Sequence, residues 1–216
     1  MQQIKIALSK GGLLQGAVDF FKSKGIELED NESTKRKLIR RGIIHNEELK
    51  DYEIQFLLVR GHDVPVYVEH GAADFGIVGL DVVLDSQAKV HQLMDLKYGA
   101  CDLCVCSING KYKNIAEIPS YARIATTFPN LSKEFFTKRG LEVEIIKLYG
   151  SVELAPLTDL TDIIIDLVAT GKTLKENGLE PIHTIMHCTS HLIANRSSFE
   201  FTKDFFNKLN QESLVG

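Results

Sequence analysis

The sequence predicts an α/β fold. Two observations carry that expectation: short β-rich runs alternate with stretches of helical period, and glycines stand where the helices would end. Apolar residues are spread along all 216 positions, enough chain to bury a core without disulfide or metal staples.

The elements follow in order. Ile4-Lys5-Ile6-Ala7-Leu8 reads as a buried first strand, closed by Ser9-Lys10-Gly11-Gly12. Leu13, Leu14, Ala17, Val18, Phe20 and Phe21 then recur at helical spacing, and Gly25 stands at a helix C-cap. Residues 30–50 are charged and show no firm period. Residues 54–59 form the next strand, Pro65 opens a short helix that Gly71 ends, and residues 75–78 form another strand. In a second block, from about Leu93 to Leu174, strands are expected at 103–107, 123–126, 143–148 and 163–168. A helix is expected at 131–139, before Gly140. Such alternation implies parallel strands joined by right-handed crossovers. Residues 181–195 are β-rich, and 199–209 make a closing amphipathic helix with Phe201, Phe205 and Phe206 on its apolar side. There is no internal repeat and no low-complexity linker, so a boundary near residues 90–100 rests on the pattern alone.

Composition narrows the function classes. Lys+Arg number 25 against 29 Asp+Glu, a formal charge of −4, which argues against a protein that coats nucleic acid. The N-terminus lacks the basic start and apolar run of a signal peptide, and no apolar stretch approaches the ~20 residues of a membrane span. Four cysteines are too few for a disulfide scaffold of this size. A reducing cytoplasm is the expected compartment, with no membrane and no nucleic-acid partner.

The most informative stretch is residues 166–174, Asp-Leu-Val-Ala-Thr-Gly-Lys-Thr-Leu. A buried strand delivers the acidic Asp166. The loop Ala169, Thr170, Gly171, Lys172 and Thr173 then offers hydroxyls, a cation and free N–H groups at a helix start. That combination suits a phosphate, although a Thr-capped strand-to-helix turn needs no ligand. Upstream, Gly150-Ser151-Val152-Glu153 is a helix-start pattern in which Glu153 either meets ribose hydroxyls or complements the helix dipole. Ser9-Lys10-Gly11-Gly12 is a third strand-to-helix turn, with room for a triphosphate.

Taken together, these residues resemble the ATP phosphoribosyltransferase family. The resemblance rests on Gly-Ser-Val-Glu-Leu-Ala-Pro at 150–156, Asp162 and the run 166–179. It extends to Arg60 with Asp63-Val64-Pro65, to residues 69–81 ending in Asp81, and to Arg123-Ile124-Ala125-Thr126 with Pro129-Asn130-Leu131. It implies a two-domain fold like the type II periplasmic binding proteins, with the site in the inter-domain cleft. Residues 1–92 with 180–216 would form one domain and residues 93–179 the other.

The resemblance also implies an activity: condensation of ATP, through N1, with phosphoribosyl pyrophosphate, opening histidine biosynthesis. Glu153 and Asp166 would be catalytic, and residues 169–173 would hold the 5-phosphate. Lys10, Gly11, Arg60 and Asp81 would serve the nucleotide, and Mg²⁺ would arrive on the substrate rather than on protein side chains. The length resembles the family's short form, which works as a homodimer or hetero-oligomer with a histidyl-tRNA-synthetase-like regulatory subunit. An alternative within the same fold is a non-catalytic small-anion-binding module or a low-activity paralogue.

The chemistry suits the residue types. N1 of ATP carries its own lone pair, so no protein base is needed; alignment and charge stabilisation are. Several positions depart from the family pattern. Gly12 stands for an Arg, Asp102 for an Arg after Cys101, and Asp159-Leu160-Thr161-Asp162 for Gly-Leu-Ala-Asp. Loss of two cations and gain of an acid would weaken the hold on polyanionic substrates. His183, His187 and His191 are spaced four apart, a metal spacing only on a helix, and the β-branched residues between them favour strand. Cys101, Cys104 and Cys106 read as small apolar packing in a buried strand.

Overall fold

The computed structural model describes residues 1–31, 34 and 36–211. Part of the poorly patterned 30–50 stretch, residues 32, 33 and 35, lies outside them. The chain forms two compact units, Met1–Gly99 with Thr189–Gly216, and Ala100–Cys188.

In chain order the first unit contributes β1 (Gln2–Ser9), α1 (Leu14–Ser23), β2 (Ile26–Leu28), β3 (Ile39–Ile44), β4 (Tyr52–Val59), α2 (Val64–Glu69), β5 (Phe75–Gly79), α3 (Leu80–Ser86) and β6 (Val90–Asp95). The second holds β7 (Cys101–Ile108), β8 (Ala122–Thr126), α4 (Pro129–Thr137), β9 (Val143–Lys147), α5 (Leu154–Leu157), β10 (Ile163–Val168), α6 (Lys172–Glu176) and β11 (Leu179–Cys188). The chain then returns through β12 (Ser190–Asn195) and α7 (Phe199–Asn210).

The first sheet runs β2-β3-β4-β1-β5-β12-β6, with β1 parallel to both β4 and β5. Because β1 is covered on both faces, its inner stretch carries consecutive buried residues, Ile6, Ala7 and Leu8, rather than an alternation. β12 enters antiparallel between β5 and β6. Phe205 of α7 closes this core, buried against Tyr52 and Phe75 at ring-centroid distances of 5.2 and 5.6 Å. Phe201 is 77% exposed, contrary to its expected place on the apolar side. Thr202, Phe205 and Leu209 define the buried stripe of α7, and at about 100° per residue Phe201 falls on its rim.

The second sheet runs β11-β7-β10-β8-β9. β8, β9 and β10 are parallel, but β7 is antiparallel to both β10 and β11, so the expectation of uniformly parallel strands holds for only part of the sheet. The return to the first unit also falls later than residue 180. β11, including Pro181, His183 and His187, is an edge strand of the second sheet, and the chain crosses back at Thr189. The histidines thus lie on strands: His183 and His187 on β11, His191 on β12.

β3 was illegible for a physical reason. Its sequence Ile39-Arg40-Arg41-Gly42-Ile43-Ile44 sits near the sheet's edge, where charges on the exposed face are tolerated and break the hydrophobic period.

Candidate active site

Three loops of the first unit follow adjacent parallel strands, since β4, β1 and β5 are neighbours. Ligands of open α/β sheets gather at these carboxyl ends. The loop after β1 carries Lys10 and Gly11, the loop after β4 carries Arg60, and β5 leads directly into Asp81. The first two loops are in close approach. The Lys10 amide donates to the Val59 carbonyl at 2.9 Å, and a Cβ on Gly61 would come within 3.0 Å of Ser9 Oγ. Lys10, Gly11 and Arg60 are all exposed.

Asp81, in contrast, is 3% exposed. Burial pushes its carboxyl above the ordinary range, opposed by its own and the Val82 backbone N–H groups and by the positive potential of His62. Asp85, buried in the same helix, adds to the upward push. Sequence reasoning did not single out His62. It follows Arg60 by two residues, in the turn after β4.

The second group lies wholly on the second unit. Asp166 sits on β10 and Glu153 immediately precedes the four-residue α5, with no side-chain capping bond. Asp166 is half-buried and accepts a hydrogen bond from the Leu167 amide at 2.8 Å. Loss of water holds its carboxyl above the usual carboxylate range, and the negative charge of Glu153 adds to the effect. The structure therefore brings these two acids within each other's field.

The loop after β10 turns at Gly171, whose φ of +71° is the left-handed conformation. The Lys172 amide donates a long hydrogen bond of 3.5 Å to Thr170 Oγ1 within the loop. The ammonium of Lys172 is exposed and leans along α6 toward Glu176, at 3.8 Å. As α6 spans five residues, its dipole is small.

The departures from the family pattern have local explanations. Asp102 does not stand as a bare anion: its Oδ1 meets His187 Nδ1 across the β7–β11 ladder. Asp159 has a φ of +56°, where glycine is favoured, and the buried hydroxyl of Thr161 has no hydrogen-bond partner. Gly12 faces open space. Among the described residues, no three His, Cys, Asp or Glu side chains are grouped to hold a metal. A hollow of about 500 Å³ bounded by Arg41, His45, Asn46 and Tyr52 contains none of the residues above.

The strand orders, with the antiparallel β12 inserted between β5 and β6 and loops gathered at strand ends, define an α/β protein of the type II periplasmic-binding-protein class. The periplasmic aliphatic sulphonate binding protein SsuA from Escherichia coli shares this fold. Its TM-score is 0.60 at 14% identity, over 96% of this chain and 69% of that one. The profile of the family described as ATP phosphoribosyltransferase (HisG) matches residues 60–213, and the chain belongs to that family. The ATP phosphoribosyltransferase of Halothermothrix orenii is 41% identical over 216 residues, 98% of this chain and 95% of the relative. The solved ATP phosphoribosyl transferase (HisG:HisZ) complex from Thermotoga maritima superposes with a TM-score of 0.78 at 31% identity, covering 97% of this chain and 98% of that one.

Proposed function

We propose that this chain catalyses the condensation of ATP with phosphoribosyl pyrophosphate to give N1-(5-phosphoribosyl)-ATP and pyrophosphate, the first step of histidine biosynthesis. Full-length similarity to named ATP phosphoribosyltransferases is the observation that carries it.

In the reaction the N1–C1 bond forms as the bond from C1 to the pyrophosphate oxygen breaks, and pyrophosphate leaves with the electron pair. Loop residues Ala169, Thr170, Gly171, Lys172 and Thr173 hold the 5-phosphate through amides, hydroxyls and one cation. Glu153 and Asp166 stabilise positive charge that develops on the ribosyl ring, as carboxylates do in glycoside chemistry. Lys10, Gly11, Arg60 and Asp81 serve the nucleotide: the cations balance polyphosphate charge, and Asp81 orders the turn that follows β5. Mg²⁺, carried on the substrate phosphates, supplies the remaining charge neutralisation.

The chain works, in this reading, as the catalytic subunit of an assembly with a histidyl-tRNA-synthetase-like regulatory subunit, and at least as a dimer. No helix among the described residues is long and apolar enough to cross a membrane. Pyrophosphate release from ATP and phosphoribosyl pyrophosphate, measured with Mg²⁺ and with or without such a subunit, tests the function. Release that depends on both substrates and stops on chelation is the expected result; no release under either condition overturns the reading.

A further inference from the structure

Four cysteines lie in the second unit, and two of them face each other across strands. Register partners in β7 and β11 are Leu103 with Met186, Asp102 with His187, and Cys101 with Cys188. The irregularities of β11 lie before Met186, so this end of the ladder is continuous. The side chains of Asp102 and His187 meet, which shows that directly opposed residues here share a face. Alternation along both strands then places Cys101 and Cys188 together on the other face.

Directly opposed antiparallel residues have Cβ atoms about 4.5–5.5 Å apart, next to the ~3.5–4.5 Å span of a disulfide, and Cα separations inside its range. Cys104 and Cys106 have no such partner. Cys104 is opposed by Thr184, at 3.6 Å from its hydroxyl, and Cys106 by Pro181. Burial pushes both of their thiols up, away from the reactive thiolate.

From this register we propose that Cys101 and Cys188 form a redox-reversible disulfide site, its reactant a low-molecular-weight disulfide of the glutathione class. Cys101 is partly exposed and Cys188 is 2% exposed, which fixes the order of events. The Cys101 thiolate attacks the small disulfide, forming a mixed disulfide and releasing one reduced thiol. The Cys188 thiolate then attacks Cys101 Sγ and releases the second. Two protein thiols are oxidised and one small disulfide is reduced to two thiols, which take up the two protons that the cysteines lose.

The bond would join the places where the chain enters and leaves the unit Ala100–Cys188. It would close a loop of nearly the unit's full length, restricting its unfolded ensemble.

The test equilibrates the full-length protein in glutathione buffers from fully reduced to fully oxidised, blocks remaining thiols by alkylation, and records intact mass and non-reduced tryptic peptides. The expected oxidised species has lost about 2 Da, the two hydrogens of thiol oxidation. It should link peptide 98–111 to peptide 176–196, with fragment ions placing the bond at Cys101. Cys188→Ser should instead retain a glutathione adduct on Cys101. In the wild-type chain, a persistent adduct, a bond at Cys104 or Cys106, a link between two chains, or no oxidation in any buffer would each overturn the assignment.

Discussion

The charge of Glu153 makes Asp166 harder to ionise. Asp166 lies half-buried on β10, loss of water raises its proton affinity, and the Glu153 carboxylate raises it further, against the pull of the Leu167 amide. A carboxyl whose folded pKa lies above its unfolded value favours folding fully at pH below the unfolded value. That contribution is lost as pH rises through the folded value. Ionised Asp166 is therefore a stability cost at neutral pH.

Asp166→Asn should raise the unfolding temperature at pH 7, with the gain shrinking as pH falls through the raised pKa of the folded wild-type carboxyl. Its pyrophosphate release should fall on the order of 10²-fold, the scale of a lost transition-state electrostatic contact. The wild-type kcat/KM should drop on acidification at a pH above the usual carboxylate range. Paired thermal melts and pH–rate profiles of the two proteins check this.

Gly171→Ala tests the loop. A Cβ there meets only Val168 Cγ1 at 3.9 Å, so the cost comes from the left-handed backbone alone. A loss of about 1 kcal/mol in stability is expected. A displaced loop should also raise the KM for phosphoribosyl pyrophosphate about tenfold, equivalent to ~1.4 kcal/mol. Urea unfolding and steady-state kinetics separate the two effects.

Asp159→Gly and Thr161→Ala should each stabilise the chain by roughly 0.5–1 kcal/mol. The first relieves a side chain in the left-handed region, and the second removes a buried hydroxyl without a partner. Additive gains in denaturant midpoint are not assumed, since the two residues are close in sequence; the double variant measures their coupling.

Gly12→Arg should fold as the wild type, because nothing lies within 4 Å of a Cβ at that position and its φ is not left-handed. The added cation should lower the KM for ATP several-fold at low salt and lose that advantage as ionic strength rises. Kinetics at two salt concentrations give the answer.

Phe205→Ala should cost about 3–5 kcal/mol, since the ring is 1% exposed and packs on Tyr52 and Phe75. Phe201→Ala, on the same helix but in solvent, should stay within about 0.5 kcal/mol. Equal losses in chemical denaturation would contradict the assigned orientation of α7.

Much of the fold was legible in the sequence because its informative strands are buried. Ile6, Ala7 and Leu8 of β1, and Ile163, Ile164 and Ile165 of β10, show their environment through unbroken apolar runs. β3 hid because a strand next to the sheet's edge strand needs one apolar face at most, and Arg40, Arg41 and Gly42 interrupt even that. The candidate site residues stand in the sequence as strand-to-helix turns bearing donors and acids. His62 was not, since its influence on Asp81 depends on two loops meeting beside a buried carboxylate.

The sequence by itself determined the α/β class, most of the elements and the family, because local period, turn residues and motif order are written along the chain. Only the tertiary structure decided how strands pair. β7 turned out antiparallel, β11 joined the second sheet instead of the first, and Cys101 came to lie opposite Cys188. Pairing depends on which distant segments share hydrogen bonds and a buried face, and a run of apolar residues favours a strand without naming its neighbour or its direction.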